Sequence, residues 1–172
     1  KALKLLIDHI GNDLIRINSE IDKLAINLAQ RKVINEDDIE AFVGISKEYN
    51  VYELQNALIR KDLAKAFRIV QYFESNPKAA PIQLVLPSLY NFFSKVYMLF
   101  GLSSKDEKVA ASALGLSPFF IKDYFTAAGY YGLSGTENAL LLLHQYNLKG
   151  IGVNSVAMVD ASLMKELIVT LI

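Results

Sequence analysis

The 172-residue sequence has no cysteine. That excludes a disulfide framework and thiolate chemistry, and it fits a reducing compartment, so a cytoplasmic location is expected. Neither charge is in excess: Lys+Arg and Asp+Glu number 18 each. A dominant electrostatic attraction to nucleic acid or to a membrane surface is thereby disfavoured. No apolar run approaches the roughly 18 residues of a membrane span, and the start lacks the charged, apolar and small-residue succession of a signal peptide. The phosphate-cradling pattern of two glycines bracketing four residues before Lys-Ser/Thr is missing, so the chain has no P-loop. No stretch alternates with period two between hairpin turns, and no repeat of fixed period or low-complexity tract occurs. The first residue is Lys, not Met, and the chain is expected to be a piece of a longer protein.

What remains is helical pattern on a 52% hydrophobic background. Leu3, Leu6, Ile7 and Ile10 are spaced for a first helix that Gly11-Asn12 ends. From Asp13 to Ala29, Leu14, Ile17, Ile21, Leu24, Ala25 and Leu28 predict a single apolar face. Asn35 caps a third helix that carries acids in its first turn, followed by Ile39, Phe42 and Val43. Gly44 stops it. A new helix opens at Asn50, which pairs with Glu53 as a capping box before Val51, Leu54 and Leu58. The stretch between, with Gly44, Ser46, Glu48, Tyr49 and Asn50, reads as a hinge joining a unit at 1–45 to a unit at 46–172.

Asp62 caps the next helix (Leu63, Ala66, Phe67, Val70, Phe73), which Asn76-Pro77 ends. Ile82 to Phe100 is apolar on more than one side and is expected to be the buried centre of the second unit, kinked or started by Pro87. Ser104 with Glu107 reads as a capping box for a helix closed by Gly115, Ser117-Pro118 opens the following one, and Ser134 with Glu137 repeats the device before the Leu140 to Leu148 run. Lys149 to Val159 reads as a loop. Asp160 or Ser162 caps a last helix bearing Leu163, Leu167, Ile168 and Leu171. The expected fold is all-α in two helical units.

Three chemical readings compete with packing. Ser162-Leu163-Met164-Lys165 has the Ser-x-x-Lys spacing of acyl-transfer enzymes, but the companion motifs are absent and Ser162 already serves a helix start. His9 and His144 lack a partner one helical turn away, so neither marks a metal site. The segment from Ala111 to Tyr124 has the outline of a helix-turn-helix, and a helical DNA-binding regulator built on residues 104–131 is the alternative function. Its reading helix would begin with Pro118, Phe119 and Phe120 where donors for base edges are needed. Beyond Gly101 there is no arginine, and five lysines face six acids. The aromatics from Tyr90 to Tyr131 exceed what one small bundle buries, and Phe92, Tyr97, Phe120, Tyr124, Tyr130 and Tyr131 are the candidate subunit interface.

The order of the pieces resembles the delta subunit of bacterial DNA polymerase III, the clamp-loader subunit that opens the sliding clamp. The matching residues are Gly11-Asn12-Asp13-Leu14, Asn18-x-Glu20-Ile21-x-Lys23-Leu24, Ile34 with Asp38, and Gly44-x-Ser46-x-Glu48-Tyr49 leading into Glu53-Leu54 and Ala57-Leu58. Leu114-Gly115-Leu116-x-Pro118-Phe119 and Lys122 follow. The resemblance implies a lid-like domain at 1–45 and, at 46–172, the collar domain through which clamp-loader subunits form a ring. It implies partners among the other clamp-loader subunits, contact with the sliding clamp only through a preceding ATPase-like domain, and contact with DNA at most indirectly. Such a piece of the polymerase holoenzyme would carry no active site, cofactor or metal of its own.

Overall fold

The computed structural model describes residues 1–10, 14–28, 31–44, 46, 48–77, 80–153 and 160–172, with only the backbone of Lys4, Asp8 and His9. Among these residues the protein is all-α and has no strand. The expected stop at Gly11-Asn12 and the histidine side chain of His9 lie outside what is described.

The first three elements are α1 (Ala2–Ile10), α2 (Leu14–Leu28) and α3 (Glu36–Asp38), the last running straight into a π-helical turn at Ile39–Val43. Asn35 caps α3 as read from the sequence, and the box is complete. Its side chain accepts from the Asp38 N–H at 3.0 Å, and the Asp38 carboxylate accepts from the Asn35 N–H at 2.8 Å. Asp38 is buried and also binds Arg31, so one carboxylate serves both a cap and an ion pair. Gly44 ends the turn at φ +79°, in the left-handed region that glycine enters without steric cost, and its N–H reaches the Ile39 carbonyl at 3.1 Å. Ala2, Leu6, Ile10, Leu24 and Ile39 form the core of this part.

The single apolar face expected on α2 is only partly used. Leu24 is buried and Ile17 and Leu28 half-buried, whereas Ile21, Ala25 and Leu14 are exposed, Leu14 at 77%. The helix packs mainly against α1 and the π turn, and the part of its stripe that turns away from them is exposed.

A second, larger core joins α4 (Val51–Ile59), α5 (Leu63–Ser75), α6 (Ile82–Phe100), α8 (Ile121–Gly150) and α9 (Asp160–Leu171). Its centre is α6, as the sequence predicts, with Val85, Leu89, Phe93 and Val96 wholly buried. The most extensive helix pair is α6 with α8. The two run antiparallel: Phe93 meets Tyr131 at 5.1 Å, and Ile82 lies beside Gly150. Pro87 sits inside α6, whose start is Ile82, and offers no N–H to the Gln83 carbonyl. The Ile82 N–H is met from across the fold, donating to Asp160 Oδ2 at 3.2 Å. Asp160 and Ser162, the two caps expected for α9, both lie within that helix, and the Asp160 carboxylate closes the N-terminus of α6 instead.

Several predicted starts are displaced. The cap of α7 (Glu107–Ala113) is Asp106, whose carboxylate accepts from Lys108 and Val109 N–H groups at 3.0 and 3.1 Å. Ser104 accepts instead from the Asp106 N–H at 3.2 Å. Ser117 to Phe120 form a turn ahead of α8 rather than its first residues. Within α8 the break falls at Gly132 (φ 63°, ψ −178°), so Ser134 and Glu137 lie past the restart and do not cap it. Lys149 and Gly150 are helical, the turn occupies 151–153, and the rest of the expected loop lies outside the described residues. α7 and the first half of α8 close a small core of Leu99, Ala110, Ala111, Leu114 and Ile121.

Candidate subunit interface

Two kinds of aromatic residue separate once the helices are packed. Phe92 is only 2% exposed and meets Phe93 edge-on at 5.3 Å and Tyr124 at 4.8 Å, so it is core and not interface. Tyr131 is half-buried against Phe93 and donates its hydroxyl to the Leu58 carbonyl at 2.9 Å, tying α8 to α4. Burial pushes its pKa up to about 12. Tyr124 and Phe120 are half-buried, the latter packed edge-on with Phe119. Of the six aromatic residues read from the sequence, Tyr97 and Tyr130 keep the most free surface. The expectation misplaced Phe92 because position 92 faces α8 while 90 and 97 face outward.

The outward face of α6 and the second half of α8 enclose an open groove of about 780 Å³. Leu86, Pro87, Tyr90 and Tyr97 form one wall, and Glu137, Leu140, Leu141, Leu143, His144 and Asn147 the other. Tyr90 is 52% exposed and Leu141 61%, so the walls themselves stand in water. Of the six aromatics, Tyr97 is the one that lines it among the described residues. Tyr90 and His144, weighed in the sequence as a surplus aromatic and a lone histidine, meet here with Leu141, and the spacing of Glu137, Leu141 and His144 places those three on one helical face.

The joint is held by side-chain hydrogen bonds. Ser46 Oγ accepts from the Glu48 and Tyr49 N–H groups at 3.3 and 3.1 Å. Asn50 donates from Nδ2 to the Ser46 carbonyl at 2.8 Å, while its Oδ1 accepts from the Glu53 N–H at 3.0 Å and so caps α4. The Glu53 carboxylate binds Lys65 of α5, so the capped start of α4 is tied to the next helix. Tyr49 stacks on Tyr72 at 5.3 Å. Ser46 and Asn50 are buried, so the C-terminal part of the predicted hinge is fastened to α4 and α5.

These features are contacts of helix packing. No protein-family model matches the chain. A probable DNA polymerase III subunit delta of Aquifex aeolicus (strain VF5) is 27% identical over 127 residues, 72% of this chain and 36% of that protein. The DNA clamp loader delta protein of Bacillus subtilis, 22% identical, superposes with a TM-score of 0.64 over 99% of this chain and 49% of its own. The chain has the fold of a clamp-loader delta protein. It spans less than half the length of either relative.

On this delta-type fold the competing chemistries find little footing. Lys165 Nζ is paired with Glu74 at 2.7 Å, and Ser162 is exposed beside it. Phe119, at the start of the supposed reading helix, is 82% exposed and apolar. Lys149 holds Glu166 at 2.9 Å and lies 4.4 Å from the Tyr146 ring centroid. The hydrogen bond from Lys149 lowers the Glu166 pKa, and the same bond raises that of Lys149. Burial, then the bond to Glu166, raises Tyr146. This cluster joins the end of α8 to α9. Among the described residues no group of His, Asp and Glu is arranged for a metal ion, and no helix is long and apolar enough to cross a membrane.

Proposed function

We propose that the chain is the lid-like and collar portion of a clamp-loader delta subunit, serving the assembly of the clamp-loader ring during DNA replication. The observation that carries this reading is the agreement of sequence and fold: the stretch similar to the Aquifex delta subunit lies in a chain that matches the Bacillus clamp-loader protein over 99% of its length. Residues 1–45 act as the lid-like domain and 46–172 as the collar. The separation of the core before Gly44 from the two after Asn50 supports the division. Leu14, Ile15 and Ile26, exposed on α2, support a lid that packs against further protein.

The partners are other clamp-loader subunits, met through the collar. The family resemblance assigns contact with the sliding clamp to a preceding domain, and response to nucleotide belongs to other subunits, since the chain carries no P-loop. Calorimetry with three separate titrants tests this. A purified clamp-loader neighbour should give heat and saturate, while ATP and the sliding clamp give neither. Micromolar binding of ATP, or tight binding of the clamp, overturns the assignment of roles.

A further inference from the structure

We propose that the groove between α6 and α8 receives an amphipathic α-helix of a partner protein, with an apolar stripe on Leu86, Tyr90 and Leu141 and a Lys or Arg beside Glu137. The identity of the partner as a clamp-loader neighbour rests on the function proposed above; the helix-binding property does not.

Shape argues first. The α6 wall from Leu86 to Tyr97 and the α8 wall from Glu137 to Asn147 each extend about 15 Å, three turns of helix. The walls are two antiparallel helices, so the trough between them is straight and follows their axes. A helix laid there presents residues at i, i+3, i+4 and i+7 to its floor. A small ligand, by contrast, is held where most of its surface can be covered. Here the wall residues Tyr90 and Leu141 are themselves more than half exposed, and only a macromolecular surface would cover them.

Charge argues second and fixes the chemistry of the occupant. The lining carries the Glu137 carboxylate and, among the described residues, no lysine or arginine. A partner helix with a cationic donor flanking its apolar stripe complements that carboxylate, whereas one with a carboxylate there meets repulsion. Tyr90 and Tyr97 add two large amphipathic rings of the kind enriched at interface centres.

The test uses the full chain and a labelled synthetic helix of about 14 residues, long enough for three to four turns. The peptide has leucine every third or fourth position and lysine beside the stripe; a second peptide has glutamate in place of that lysine. Fluorescence anisotropy should show saturable binding of the lysine peptide. Leu141→Arg should weaken it about tenfold, the loss expected when an interface anchor is blocked. Glu137→Lys should weaken the lysine peptide and strengthen the glutamate one. Val169→Arg, on the exposed side of α9, should change neither. Leu141 and Glu137 are exposed, and melting curves matching the parent confirm that the variants fold.

No binding by the parent, or binding indifferent to all three substitutions, overturns the proposal. So does a dimer of the chain that Leu141→Arg dissolves in sedimentation equilibrium, since a second copy would then own the groove. If the peptide binds as described but clamp-loader subunits bind neither parent nor variant, the helix site stands and the clamp-loader reading falls. If those subunits bind parent and Leu141→Arg alike, the reading stands and the groove is not their contact.

Discussion

Tyr131 keeps its proton to unusually high pH because burial against Phe93 and the Leu58 carbonyl strips from its hydroxyl the water that would solvate a phenolate. Its pKa is raised from 10.0 to about 12 in the fold. Below pH 10 the residue is protonated in both states and the stabilisation is complete; between about 10 and 12 the unfolded chain has lost its proton while the folded one keeps it, so stability falls across that window. Urea unfolding at rising alkaline pH should show this loss, and Tyr131→Phe should flatten it. Identical pH dependence in the two proteins would contradict the assignment. Leu89 and Phe93, wholly buried at the centre of α6, carry a larger prediction. Leu89→Ala should cost about 2–5 and Phe93→Ala about 3–5 kcal/mol in denaturant unfolding. Melting within a degree or two of the parent would show that α6 is not central. The burial of these two residues was legible because a helix apolar on several sides can only be central. That Phe92 turns inward while Tyr90 and Tyr97 do not was not legible, because it depends on where α8 lies.

Helix boundaries divide by the reach of the signal that sets them. Asn35, Asn50 and Asp62 cap the helices assigned to them, since a cap is a contact within three residues and needs no tertiary information. Ser104 lost its role to Asp106, a second acceptor two residues closer to the helix. Ser134 lost its role to Gly132, where the chain takes a backbone conformation that side chains resist. With φ 63° and ψ −178°, Gly132 lies in a region open essentially to glycine, and a Cβ there would meet nothing within 4 Å. The cost of Gly132→Ala is therefore backbone strain alone, about 1–3 kcal/mol, seen as a lower Tm with no change in helix content. A variant as stable as the parent would mean that α8 runs through this point unbroken. Nothing local announces that Asp160 serves the N-terminus of α6, seventy-eight residues away.

At the scale of the molecule, the all-α class and the delta-type fold were legible from the succession of caps, stops and apolar faces, together with the matching motifs from Gly44 to Leu58. The groove was not, because it is made by two helices whose relative placement no single stretch encodes. The exposed half of the α2 stripe escaped for the same reason: periodicity marks an apolar face without saying what covers it. If two units meet at the joint, limited proteolysis should cut first on the N-terminal side of Ser46, because Ser46, Tyr49 and Asn50 are fastened to the larger core. Cleavage mainly within residues 62–148 would refute the division. The most direct measurement of the central claim is gel filtration of the folded chain mixed with purified clamp-loader subunits. A stoichiometric complex eluting ahead of each component, without ATP or clamp, is the predicted result; separate elution of a chain shown by circular dichroism to be helical and folded would contradict it.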